Sequence, residues 1–91
     1  MKTKTWNIGE YARGGVISVE ITSKEIAVIG REWDFNKGSK KSSNQKNSPE
    51  WTRETVGITD YNKFRTLDIF LNDLTSSYYA DEILEWIKKN I

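Results

Sequence analysis

Apolar and polar residues alternate through the first third of the chain, which is the pattern of half-buried β-strands. Trp6 and Ile8 alternate with polar neighbours, and every other residue from 17 to 21 is apolar. A third apolar run begins at Ile26, and Gly30 within it would permit a β-bulge. Turn-forming residues separate these segments, so the pattern predicts three antiparallel strands joined as a meander.

Two further strands are predicted after a polar interval, over residues 51–58 and 64–71. In the first, Trp51 and Arg53 fall on the side opposite the apolar residues. In the second, every other residue from 67 to 71 is apolar, which favours one buried strand face.

Helical spacing replaces this alternation at the end of the chain. Ser76 or Ser77 is a suitable N-cap, and one stripe is apolar: Ala80, Ile83, Leu84, Ile87 and Ile91. The whole pattern predicts one α+β domain spanning residues 1–91. It would contain an antiparallel meander sheet of about five strands, in the order β-β-β-loop-β-β-α, with one C-terminal amphipathic helix packed on one face.

The polar interval itself is the most unusual part of the sequence. Residues 36–49 contain four lysines but no acidic residue and no large apolar residue. Such a segment buries too little surface to offset the entropy cost of ordering it, so we predict a flexible basic polar loop over residues 36–50.

Composition restricts the chemistry available to the protein. The 91 residues carry a net charge of +1, so any basic site must be local. Neither cysteine nor histidine occurs, which excludes disulfides, thiolate nucleophiles and catalytic groups built on histidine. We therefore predict a non-catalytic protein with no cofactor and no metal. Since no apolar run has the length of a membrane span or a signal peptide, a cytoplasmic protein without a membrane partner is expected.

Aromatic and basic residues around the loop form the best candidate site. Aromatic rings can stack on bases while lysine and arginine neutralise phosphates. The candidate ligand-binding residues are Arg13, Arg31, Trp33, Phe35, Lys37, Lys40, Lys41, Lys46, Trp51 and Arg53. They predict a small binding module for single-stranded nucleic acid or a nucleotide-like anionic ligand. The competing interpretation is that the aromatic residues fill the core, which is favoured for Trp6 and Trp86.

A second function class fits the same composition. A protein-interaction module, such as an inhibitor or accessory protein of phage or mobile-element type, would use an aromatic sheet face to bind its partner. One side of the C-terminal helix, formed by Tyr79, Glu82, Trp86 and Asn90, could likewise form a homodimer contact or simply widen the packing stripe.

The predicted order of strands followed by one amphipathic helix resembles the architecture of the Whirly-, Pur- and coactivator-type single-strand-binding modules. This resemblance implies binding of a single strand on the sheet. No motif matches residue by residue, so no functional residue is transferred from those families.

Overall fold

The computed structural model describes residues 1–8, 15–31 and 49–91. Within them the chain forms four strands and then two helices. The strands are β1 (Lys2–Asn7), β2 (Val16–Ile21), β3 (Glu25–Arg31) and β4 (Glu50–Gly57), and the helices are α1 (Lys63–Leu74) and α2 (Ser77–Asn90). The predicted loop over 36–50 lies outside the described residues, apart from Pro49 and Glu50, and Glu50 begins β4.

The four strands form one antiparallel sheet in the order β1-β2-β3-β4. The α+β class and the antiparallel meander are therefore confirmed. The β2–β3 turn is held by the Thr22 hydroxyl, which accepts hydrogen bonds from the backbone amides of Lys24 (3.2 Å) and Glu25 (3.0 Å). Short polar side chains commonly stabilise turns in this way.

One face of the sheet packs against both helices and forms the core. Its buried strand residues are Trp6, Ile17, Val19, Ile21, Ile26, Val28 and Val56, and the helices contribute Leu67, Leu71, Leu74, Ala80, Ile83 and Ile87. On the opposite, outer face, Val16 and Ile29 are also buried. Burial on both faces explains why the β3 run from residue 26 to 29 is continuously apolar rather than alternating.

The predicted fifth strand over residues 64–71 is wrong, because these residues lie in helix α1. The buried residues of α1 are Leu67, Leu71 and Leu74, spaced by four and three positions as on one helix face. Ile69, which a strand would place beside Leu67 and Leu71, is instead 62% exposed. Apolar residues at 67, 69 and 71 fit a strand over so short a stretch. Phe64 and Leu74 extend Leu67 and Leu71 into a helical stripe, and both pack with the core.

The C-terminal helix is confirmed, with Ser76 at its N-cap position. Ile83 and Ile87 are fully buried, whereas Leu84 is only half-buried because it lies at the margin of the stripe. Neither helix of the described chain is long and apolar enough to cross a membrane.

The strand register shifts at the end of β3, which confirms the expected irregularity at Gly30. Gly30 pairs with Thr52, but the next residue, Arg31, pairs with Glu50, so Trp51 is an extra residue in β4. A Cβ atom on Gly30 would lie 2.7 Å from the Thr52 methyl carbon and 3.4 Å from Leu74 Cδ1. Close approach of three elements therefore requires glycine here.

Substitution in α1 tests the corrected element. We expect Leu67→Ala to lower the free energy of unfolding by about 2–5 kcal/mol, because it leaves a cavity in the core. Ile69→Ala should change it by roughly 0.5 kcal/mol or less, because Ile69 faces solvent. Urea denaturation measures both, and equal large losses would contradict the helix and support a strand.

The two glycines of the sheet provide a matched pair. Gly30→Ala should destabilise the protein by about 1–3 kcal/mol through overpacking against Thr52. Gly57→Ala should be close to neutral, because a Cβ atom there meets no atom within 4 Å. Thermal unfolding of both variants checks this, and a neutral Gly30→Ala would show that the strands do not approach so closely.

Candidate functional site

Antiparallel pairing brings two connections of the chain to the same end of the sheet. The register pairs Asn7 with Val16, Val16 with Arg31 and Arg31 with Glu50. These four paired residues mark one end of the sheet, the Arg31 end. The chain leaves β1 and β3 there and returns into β2 and β4 there, whereas the β2–β3 turn lies at the opposite end. Both connections therefore begin and end at the Arg31 end of the sheet.

All ten candidate residues belong to these connections or to the strand residues next to them. Seven lie outside the described residues: Arg13 in the 9–14 segment, and Trp33, Phe35, Lys37, Lys40, Lys41 and Lys46 in the 32–48 segment. The structure describes the other three, Arg31, Trp51 and Arg53. It places Arg31 and Arg53 on the outer face of neighbouring strands.

Arg53 forms a two-point ion pair with Glu50. Its Nε donates to Glu50 Oε2 at 2.9 Å, and its Nη2 donates to Glu50 Oε1 at 2.9 Å. Residues three apart in a regular strand point to opposite faces. The extra residue at Trp51 turns Glu50 to the side of Arg53, so the bulge makes this pair possible.

Arg31 is tied to the sheet by a buried hydroxyl. Its Nε donates to Ser18 Oγ at 3.2 Å, and Ser18 Oγ lies 3.3 Å from Thr5 Oγ1. Ser18 is buried, so these bonds satisfy a polar group that would otherwise be costly. The network orients the half-buried Arg31 side chain along the outer face.

Trp51 does not share the position of Arg53. Its indole nitrogen lies 3.4 Å from the place of a Cβ atom on Gly30, on the same side as Leu74 of α1. The ring is therefore near the helix side of the sheet, and it is 42% exposed. Simple alternation places Trp51 and Arg53 together, and the bulge separates them.

Charge is unevenly distributed along the sequence. Residues 31–53 contain six lysines and arginines against three acidic residues, a net charge of +3. Since the whole chain has +1, the remaining residues carry −2. A weakly charged protein thus carries a basic stretch of sequence, and that stretch includes the connection between β3 and β4.

Of the remaining described tryptophans, Trp6 is buried in the core and Trp86 is half-buried against it. The Trp6 and Trp86 rings meet edge to face with centroids 5.6 Å apart, and Trp6 Nε1 donates to Glu82 Oε2 at 3.0 Å. Both Trp86 and Glu82 belong to the helix side considered for a homodimer, and here they contact β1. A cleft of about 270 Å³ lies beside them, lined also by Lys4, Glu85 and Lys89.

Sequence reasoning did not identify Glu50 or Ser18 as parts of the arginine environment. The Glu50–Arg53 spacing predicts opposite faces unless the bulge is known, and Gly30 was the available signal for it. Ser18 occupies an ordinary alternating position, and only the cross-strand register brings it diagonally opposite Arg31.

Comparisons with known proteins identified no relative. No protein-family model matches the chain, no curated protein matches it, and no solved structure matches it. Function is therefore inferred from the residues of this chain alone.

The ion pair has a measurable consequence for Glu50. The hydrogen bond from Arg53, with the added charges of Arg53 and Arg31, lowers the pKa of the Glu50 carboxyl below its ordinary value of 4.5. Arg53→Gln should raise the pKa of Glu50 towards that value, because the main cause is removed. An NMR titration of the Glu50 carboxyl carbon measures it.

The lowered pKa of Glu50 also makes the stability of the fold depend on pH. A lowered pKa in the folded state stabilises the fold above the unfolded pKa, and the contribution is lost as the pH falls through the folded pKa.

Lys24→Gln, at the other end of the sheet, is the control for the Arg53→Gln titration and should leave the Glu50 titration unchanged. An unchanged Glu50 midpoint in Arg53→Gln would contradict the pairing.

Proposed function

We propose that this protein is a small non-catalytic binding module that takes single-stranded nucleic acid, or a nucleotide-like anionic ligand, at the Arg31 end. The observation that carries the proposal is the convergence of both candidate connections on this end, beside Arg31 and Arg53. The net charge of +3 over residues 31–53 supports it.

The roles of the residues follow from their chemistry. Arginine presents a planar fork that matches phosphate oxygens, while the loop lysines act as point charges along the backbone of the ligand. Trp33 and Phe35 offer rings for stacking, and Trp51 offers a further ring on the helix side of β4, each stacked base being worth about 1–3 kcal/mol. A single strand exposes both its bases and its phosphates, so it suits this combination better than a duplex does.

The described cations also explain why binding should be moderate. Arg53 is paired with Glu50, and Arg31 donates to the Ser18 hydroxyl, so both side chains are oriented and the charge of Arg53 is already opposed. A ligand must exchange these contacts for its own. The loop lysines are then expected to supply most of the salt-dependent part of the affinity.

Fluorescence anisotropy of a labelled oligothymidylate, titrated at several salt concentrations, tests the proposal. Replacing Lys37, Lys40, Lys41 and Lys46 with serine should weaken binding. It should also reduce the slope of log K against log salt by about 0.7 for each lysine that contacts a phosphate. Duplex DNA should bind more weakly than the single strand.

A second quadruple variant provides the matched control. Replacing Lys2, Lys24, Lys88 and Lys89 with serine removes the same charge from positions outside the Arg31 end. We expect affinity and slope close to those of the wild type. Equal losses in both variants would indicate a general effect of net charge, and no binding of oligonucleotide or mononucleotide at low salt would refute the proposal.

A protein partner remains the second candidate, supported by exposed apolar side chains in the helical part of the molecule. Tyr61, Ile69 and Tyr78 are large and mostly exposed. Among the described residues of the outer sheet face none is aromatic, so this candidate would use the helical side. If the same titrations show no nucleic-acid binding, the protein-partner function becomes the leading candidate.

A further inference from the structure

Arg53 already holds an anion in the geometry that arginine uses for phosphate. The two parallel bonds to Glu50, both 2.9 Å, form the fork that an arginine makes with carboxylate or phosphate oxygens. The Glu50 carboxylate therefore stands where two oxygens of a phosphoryl group would lie.

Arg31 reinforces this position from the neighbouring strand. Glu50 and Arg31 are cross-strand partners on the outer face. The charge of Arg31 contributes to lowering the pKa of the Glu50 carboxyl, so the field of both arginines acts at that point. An incoming phosphate would be attracted to the same place.

The bulge is what puts the carboxylate there. Without the extra residue at Trp51, Glu50 would fall on the opposite side of β4 from Arg53. The side chains of Glu50 and Arg53 are 36% and 43% exposed, respectively. An exposed pair is weakly held, so a ligand anion can displace it.

We propose that Glu50 is the internal occupant of a phosphoryl-binding subsite on Arg53, and that a ligand phosphate binds there by displacing the Glu50 carboxylate. This inference rests on the proposed function and adds that the Glu50 carboxylate competes with the ligand phosphate for Arg53. Glu50 lowers the affinity for every ligand that uses the subsite, and it should be displaced more readily by a doubly charged phosphomonoester than by a singly charged phosphodiester.

The test compares affinities of four proteins for an oligothymidylate without terminal phosphate and for thymidine monophosphate. The proteins are the wild type, Glu50→Gln, Arg53→Gln and the double variant. Glu50→Gln should tighten binding by about twofold to fivefold, the factor that corresponds to releasing an exposed ion pair. Arg53→Gln should weaken binding, and adding Glu50→Gln to it should give no comparable gain, because the shared arginine is gone.

Glu85→Gln is the matched control. It removes the same charge from another exposed ion pair, Glu85–Lys89 at 3.6 Å on α2. Its affinity should equal that of the wild type. Equal tightening in Glu85→Gln and Glu50→Gln would overturn the inference, because net charge alone would then explain the gain.

The outcomes separate the inference from the proposed function. Suppose that binding weakens in Arg53→Gln but does not tighten in Glu50→Gln. That result would refute the role of Glu50 as a competitor and leave the proposed binding function standing. Failure of both the wild type and Glu50→Gln to bind either ligand would overturn both. The Arg53 Nε–H resonance of the wild type gives a second readout, since displacement of Glu50 must shift it, and an unmoved resonance at saturation would overturn the inference even if a variant fails to fold.

Discussion

Antiparallel pairing of four consecutive strands is the constraint on which the described molecule depends. Each strand reverses the chain, so the first and third connections must meet at one end while the second lies at the other. The same pairing gives the sheet one continuous apolar face, and both helices are needed to cover it. Topology therefore produces the core and brings the ends of the first and third connections together at one end of the sheet.

The irregularity at Gly30 and Trp51 links the fold to the candidate site. Glycine lets β4 and α1 approach β3, and the extra residue in β4 changes which side chains share a face. As a result Glu50 meets Arg53, while Trp51 lies near the helices. A local packing requirement thus determines the electrostatic environment of the arginines, and it separates the described tryptophan from the described cations.

The sequence predicted most of the sheet because strand alternation and turn residues agree through residue 58. It predicted the C-terminal helix for the same reason, since the stripe from Ala80 to Ile87 fits only a helical period. It misassigned residues 64–71, where alternation at 67, 69 and 71 fits a strand, and where the helical spacing of Leu67 and Leu71 becomes clear only with Leu74, beyond the segment. For the candidate site, the charge pattern drew attention to Arg31 and Arg53, which lie on neighbouring strands, but not to their contacts with Ser18 and Glu50. These contacts arise from the strand register and the bulge, and the alternation of apolar and polar residues along a strand reveals neither.

The central claim is that an anionic, stackable ligand binds at the Arg31 end, and chemical-shift mapping tests it most directly. Proton–nitrogen correlation spectra of the protein would be recorded during titration with an oligothymidylate at low salt. The account predicts shifts concentrated in residues 9–14 and 29–53, including the Trp51 indole and the Arg53 side chain. The β2–β3 turn around Lys24 and the Trp6–Trp86 pair should remain unmoved. Shifts centred on that turn or on the helices, or no shifts at all, would contradict it.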